Sequence, residues 1–469
     1  LPPAAPADAA SGANFFARLL TETGVSDSRF ARQVNERSRR HRRSELGLAR
    51  TTIGHWRRGM RPRDPMVAEL AAAELSAVVG YPVTPADLGW RGETHFGDDE
   101  LGLAVADHPT DTLRTLVGLS GRDMRRRDLM LEGTAFVATA FADPVLRALT
   151  GVIDPVAEPP FDQGFGMPPT GSMIRDMTDT FRRLDARYGS GEIRTQVISF
   201  LHDRTRVALG GDGTGADLFS ALSELTQFCG WLAQDSGRQS LAQRYYVQAL
   251  ALAEHAEDVM LSGRVLSAMS DQAATLGQLR QSLSLARAAL DRAERHSAPN
   301  VRAMLHDKAA WAHARLGDDA GVARQLSSMD KAIGKATADG GPPWASHYNQ
   351  ADVAECHGHC LMLLRRPREA EKWLLEARAM QSSERTRTRS YAEADLALAY
   401  LRQPKSDVEA ALDAGRRSVA LARHLESGRL AHKLTELDGE IARHTRIVAV
   451  REWRTEAAAL LQGPSAASA

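Results

Sequence analysis

Apolar residues recur along this chain at helical spacing, and they divide it into short amphipathic segments punctuated by Gly and Pro. Asn14 can cap a first helix, FFARLLTETG, and Ser26 or Asp27 a second, in which Phe30, Ala31 and Val34 form an apolar stripe. A third helix is expected within LARTTIGHWRRG, Leu48 to Gly59. There Ile53 and Trp56 sit three apart and can anchor one face to a core, which leaves Arg50, Thr51, His55, Arg57 and Arg58 on other faces. Gly59 stops this helix, and Pro62 and Pro65 keep it from restarting. Met66 to Val79 reads as a fourth helix that closes the bundle. The signal then weakens. Residues 91–120 and 150–171 read as linkers, with a helix near Asp128–Ala140, and Ser172–Tyr188 and Glu192–Ala208 read as a hairpin around Gly189-Ser190-Gly191.

From about Phe219 the pattern repeats. Gly237, Gly277 and Gly317 fall 40 apart, each ending one helical stretch and preceding another. FCGWLAQDSGRQSLAQRYYVQALALAE and AECHGHCLMLLRRPREAEKWLLEARAM are the best-matching units. Each has a Gly in its first helix (Gly230, Gly358) and two Ala seven apart in its second (Ala242 and Ala249; Ala370 and Ala377). Close helix approach needs small residues at those places. The pattern resembles the tetratricopeptide repeat, although the units are longer than usual, and GGPP (340–343) lengthens one loop. The unit ending at Met329 lacks the second Ala, and the one after Ser390 is degenerate. The expected fold is therefore all-α: a helix-turn-helix bundle over 14–90, a linker with short helices over 91–171, and a helical-hairpin superhelix over 172–462. Residues 1–13 and 463–469 are expected to be disordered.

Composition sharpens this picture. Between Arg29 and Arg63 stand 12 Arg against only Glu36 and Glu45, within a chain of zero net charge. Such a basic block is the footprint of a phosphate-binding face. The three cysteines make no disulfide framework, the start has no signal-peptide pattern, and no apolar run could span a membrane. A cytoplasmic, nucleoid-associated protein is expected.

LARTTIGHWRRG resembles the recognition helix of the phage-repressor-like (XRE-type) regulators, and SDSRFARQVNE (26–36) resembles the first helix of their motif. Between the two stands ERSRRHRRSELG, longer than that family's turn. RPRDPMVAELAAAELSAVVGYPVTPADLG (61–89), TFRRLDARYGSG (180–191) and WLAQDSGRQSLAQRYYVQAL (231–250) extend the likeness. Taken whole, the chain resembles actinobacterial transcriptional regulators that join such a domain to tetratricopeptide repeats. The resemblance implies control of development or secondary metabolism, with repression as the expected sign. In that reading Arg50 meets a guanine edge, Thr51 and Thr52 a phosphate or a thymine methyl, and His55 the groove. Arg57, Arg58 and Arg61, with Arg39, Arg40, Arg42 and Arg43, meet phosphates. The partner is a double-stranded operator bound by a homodimer.

The first helices of the repeats should present a concave face. Aligning on Gly237, Gly277, Gly317 and Arg365 places there Gln227, Trp231 and Gln234; Arg264 and Asp271; Asp307, Trp311 and Arg315; Glu355 and His359. The two Trp among polar neighbours suit an extended peptide or a small aromatic molecule. Glu355-Cys356-His357-Gly358-His359-Cys360 has the look of a metal site, but on a helix His357 points away from the Cys pair, so packing is expected and no metal or cofactor. GGDGTGAD (210–217) lacks a preceding strand and a following Lys, and reads as a loop. No catalytic constellation stands out. The alternative to a regulator is a non-catalytic scaffold whose basic bundle binds protein or RNA.

Overall fold

The computed structural model describes residues 12–40, 46–62, 65–79, 83, 85, 88, 90, 101–106, 108–124, 136–150, 170–210, 215–337 and 340–461. The chain forms two compact units, Leu1–Gly97 and Asp98–Ala469. Among the described residues both are built of helices, so the all-α expectation holds.

Unit 1 packs α1 (Gly12–Glu22), α2 (Asp27–Arg40), α3 (Arg50–Arg57) and α4 (Pro65–Val79). Ile53 and Trp56 are buried, as their spacing predicts. Trp56 lies in an aromatic cluster with Phe16, Phe30 and Trp90, where the Phe16 and Trp90 rings are 4.7 Å apart and the Trp56 and Trp90 rings 5.2 Å apart. Tilted and edge-on aromatic contacts of this kind add to the burial of the rings themselves.

Unit 2 begins earlier than the sequence suggests. Leu113, Leu116 and Leu119 of α5 (Pro109–Asp123) enter its main core, and so does Phe141, ahead of α6 (Ala142–Thr150). The segments read as linker are in part structural: 101–106, α5, 136–141 and α6 pack on the repeats, while 128–135 lies outside the described residues. Buried polar residues hold them. Gln248 donates to the carbonyls of Gly102 and Ala104 (3.0 and 2.9 Å), Arg244 to that of Leu101, and Gln243 exchanges hydrogen bonds with the backbone of Val137. A buried amide or guanidinium that satisfies loop carbonyls ties an irregular segment down as firmly as apolar packing.

After α7 (Thr170–Tyr188) and α8 (Ser190–Gly210) the helices pair into hairpins. The pairs are α9 (Ala216–Asp235) with α10 (Gln239–His255), and α11 (Val259–Thr275) with α12 (Leu279–Ala293). Then come α13 (Pro299–Arg315) with α14 (Asp319–Ile333), and α15 (Gln350–Leu363) with α16 (Pro367–Met380). The last are α17 (Thr386–Arg402) with α18 (Val408–Ala422), and α19 (Gly428–Ile441) with α20 (Val448–Leu461). A Cβ on Gly230 would come within 2.5 Å of the Tyr246 ring, and one on Gly358 within 2.7 Å of Leu374, so both helix pairs approach as the small-residue pattern requires. Gly237, Gly277 and Gly317 turn with φ of +80°, +75° and +71°, and Arg365 takes the same left-handed turn at +60°. The units read as incomplete also form full hairpins.

The superhelix closes on itself. Arg387 of α17 makes two hydrogen bonds to the carboxylate of Asp185 on α7, at 2.7 and 2.6 Å. Beside this pair Glu426, ahead of α19, meets the turn between α7 and α8 by backbone hydrogen bonds to Tyr188 and Gly191. Asp235 accepts from Ser190 and from Ser427, both at 2.8 Å, and Asp271 from Arg429 at 3.0 Å. The two ends of the array thus form a seam.

Candidate nucleic-acid interface and ligand cavity

In unit 1, α3 ends in a Schellman turn. The Gly59 amide bonds the Trp56 carbonyl at 3.0 Å, and the Met60 amide bonds that of His55 at 3.1 Å. Its start is fixed by Asn35, whose side chain donates to the Leu48 carbonyl (2.9 Å) and accepts from the Leu48 amide (3.0 Å). The long connection is shared out: α2 runs on to Arg40, 46–49 is irregular, with a left-handed Gly47, and is held by Asn35, and 41–45, with Arg42 and Arg43, lies outside the described residues. Arg40 is the last residue of α2, and Arg39 immediately precedes it.

With Ile53 and Trp56 committed to the core, α3 exposes Arg50, Thr51, His55 and Arg58, while Thr52 is half-buried and Arg61 is exposed beyond the turn. Arg57 differs from the others. Its guanidinium donates to Thr21 Oγ1 at 2.8 Å and lies 3.5 Å from Asp27. It ties α3 to α1 and α2, unlike its exposed neighbours Arg50 and Arg58, and is therefore less free than they are for the phosphate contact expected of it.

In unit 2 the first helices of all six hairpins, together with α7, line a cavity of ≈ 1180 Å³. Every residue that the alignment assigned to the concave face lines it: Gln227, Trp231, Gln234, Arg264, Asp271, Asp307, Trp311, Arg315, Glu355 and His359. The sequence did not point to Arg182 and Asp185 of α7, to Trp344, His347 and Tyr348 of the loop after GGPP, or to Arg387, Tyr391 and Arg429 of the last hairpins. TFRRLDARYGSG and the long loop were the available signals, but neither carries a periodicity that says where it folds.

Both Trp that were expected to hold a ligand are occupied by the protein itself. Trp231 donates to Asp185 at 3.1 Å, and the guanidiniums of Arg387 and Arg429 lie over its ring at 5.1 and 5.2 Å. Trp311 stacks on His359 at 4.1 Å, with the Lys308 ammonium 4.0 Å from its ring centre. Those contacts make them cation–π and stacking anchors of the wall. Stacking of a free aromatic ligand on either ring would have to displace them.

Most charges in the wall are paired. Gln234 donates to Asp271 (2.8 Å), Tyr348 to Asp307 (3.1 Å), Arg385 to Asp352 (2.7 Å), and Lys433 lies 2.8 Å from Asp395. Burial pushes the Glu355 carboxyl up to about 8, helped by Asp352 next to it, so it stands as a neutral acid at neutral pH. Burial, and then the like charge of Arg182, lower Arg264 to about 10, at which it remains a cation.

The cysteine and histidine cluster is shared out among neighbours. His357 bonds Asp330 (3.0 Å) and stacks on Trp373, His359 meets Asp395 (3.3 Å), and Cys356 and Cys360 are buried. Among the described residues no group of three metal-ligating side chains comes together. GGDGTGAD joins the end of α8 to the start of α9, and 211–214 within it lies outside the described residues. No described helix is long and apolar enough to cross a membrane.

Residues 16–91 match the family described as SP15 N-terminal domain. The match begins within α1, takes in the rest of the bundle of unit 1, and does not extend into unit 2. No curated protein matches the chain.

Proposed function

We propose that this chain is a sequence-specific DNA-binding regulator, acting as a homodimeric repressor, whose repeat unit senses a small molecule. The observation that carries the reading is α3. Ile53 and Trp56 fix its inner face, a Schellman turn ends it and Asn35 pins its approach, so that Arg50, Thr51, His55 and Arg58 project from a rigid, short helix. A helix of this size suits the major groove, and Arg at its start suits a guanine. The cavity of unit 2, with its largely paired wall, supports the sensing half of the reading.

Selection of preferred sites from random duplex DNA by the purified chain at physiological salt tests it. An enriched two-fold motif, with affinity that falls steeply with salt, supports a dimeric regulator. Salt-sensitive retention without any enriched sequence would replace it with a basic interaction scaffold.

A further inference from the structure

We propose that the cavity of unit 2 takes a small molecule that carries an anionic group, a carboxylate or a phosphate, and that Arg264 is the residue on which this group sits. The proposal rests on reading the cavity as a ligand chamber and is independent of DNA binding by unit 1.

Arg264 projects from α11 into the cavity and makes no hydrogen bond or ion pair among the described residues. Its situation differs from that of four cations around it and is shared by Arg315, which likewise makes no hydrogen bond or ion pair among the described residues and whose Nε is buried. Arg182 holds Glu224, Arg385 holds Asp352, Arg387 holds Asp185, and Arg429 holds Asp271. The two acids near enough to be felt by Arg264 are committed elsewhere: Asp271 to Arg429 and Gln234, Asp307 to Tyr348 and Lys308. A half-buried guanidinium beside a second cation and without an ion pair of its own is costly, and an incoming anion lowers the cost. Arg presents a planar fork of donors that matches carboxylate and phosphate oxygens.

The volume argues for more than a simple ion. At ≈ 1180 Å³ the chamber lies somewhat above the range of roughly 300–1,000 Å³ usual for small-molecule sites. The Asp185–Arg387 pair of the seam lies in its wall.

The test uses the full chain and two fluorescent naphthalenes of similar size, 8-anilinonaphthalene-1-sulfonate, which is anionic, and N-phenyl-1-naphthylamine, which is neutral. The parent should bind the sulfonate at least tenfold more tightly than the neutral probe. Arg264→Gln should lose at least tenfold of the sulfonate affinity and leave the neutral probe unchanged, and Arg264→Lys should retain most of it. Circular dichroism and melting temperature establish that each variant is folded. Displacement of the sulfonate by benzoate or by inorganic phosphate then assigns the natural group as carboxylate or phosphate. Equal binding of both probes by the parent, no binding of the sulfonate, or unchanged sulfonate affinity in folded Arg264→Gln would each overturn the proposal. Failure of DNA selection with Arg264-dependent binding intact would count against the regulator reading alone.

Discussion

Asp185 and Arg387 stand 202 residues apart in the chain and share a two-pronged ion pair that joins α7 to the fifth hairpin of unit 2. Both side chains are largely buried, at 4% and 12% exposure, and Asp235 lies 3.8 Å from the same guanidinium. Removing Arg387 strands two buried carboxylates. Arg387→Ala should cost about 3–5 kcal/mol. Thermal and urea unfolding of the full chain would read this, and a loss below about 1 kcal/mol would show the pair to be incidental.

Gly189 makes the same point through the backbone. Its φ is +88°, and a Cβ there would lie 2.6 Å from the Glu426 carbonyl oxygen. Gly189→Ala therefore meets strain and collision together, and should destabilise unit 2 by about 2 kcal/mol or more. Amide hydrogen exchange should show faster opening at 188–191 and 425–428, with α3 unaffected. Uniform protection in the variant would sink the prediction.

On α3, Arg50 and Arg57 should separate. Arg50→Ala is expected to weaken binding to the preferred duplex by about 1–3 kcal/mol and to relax one base position, with unchanged melting. Arg57→Ala, which loses Thr21 and Asp27, should lower the melting point of unit 1 and alter sequence preference little. Titration of both variants on matched and scrambled duplexes, beside calorimetry, distinguishes these outcomes. The reverse pattern would exchange the two roles.

Glu355 gives the chain a pH signature. Its folded pKa, about 8, lies above the usual carboxylate value because of burial and of Asp352, Asp395 and Asp307 nearby, with Arg385 opposing. A raised acid stabilises the fold at low pH, and that contribution drains away as pH climbs from the unfolded value through about 8. Glu355→Gln should remove this dependence. The variant should gain on the parent in unfolding free energy between pH 5 and pH 8, by an amount on the order of 1 kcal/mol or more as read by urea unfolding, and the difference should level off above that. A difference that does not change with pH would show that Glu355 titrates normally.

The sequence was informative where a local rule governs and silent where distance does. Ile53 and Trp56 announced themselves because helical spacing alone puts them on one face. Arg365 could be aligned with Gly237, Gly277 and Gly317 because the same turn must recur in each hairpin, whatever residue fills it. The alignment then carried ten residues to one cavity. It could not show that Trp231 and Trp311 are already covered, because their partners Arg387, Arg429 and Lys308 come from elsewhere in the array or face them only after folding. Leu113, Leu116 and Leu119 have core spacing, but the surrounding Gly, Pro and acids diluted it. Gln243, Arg244 and Gln248, which hold that region, look like surface residues in a helix until their buried partners are seen.

Stacked-repeat proteins ordinarily gain stability unit by unit, since each repeat touches only its neighbours, and they tolerate losing one at the end. The seam takes that freedom away here. Deleting the chain from Ser427 onward would strip Ser427 from Asp235 and Arg429 from Asp271, and so injure α9 and α11 towards the opposite end of the array. Unit 2 should consequently melt in one cooperative step, with truncation from either terminus as damaging as truncation from the other.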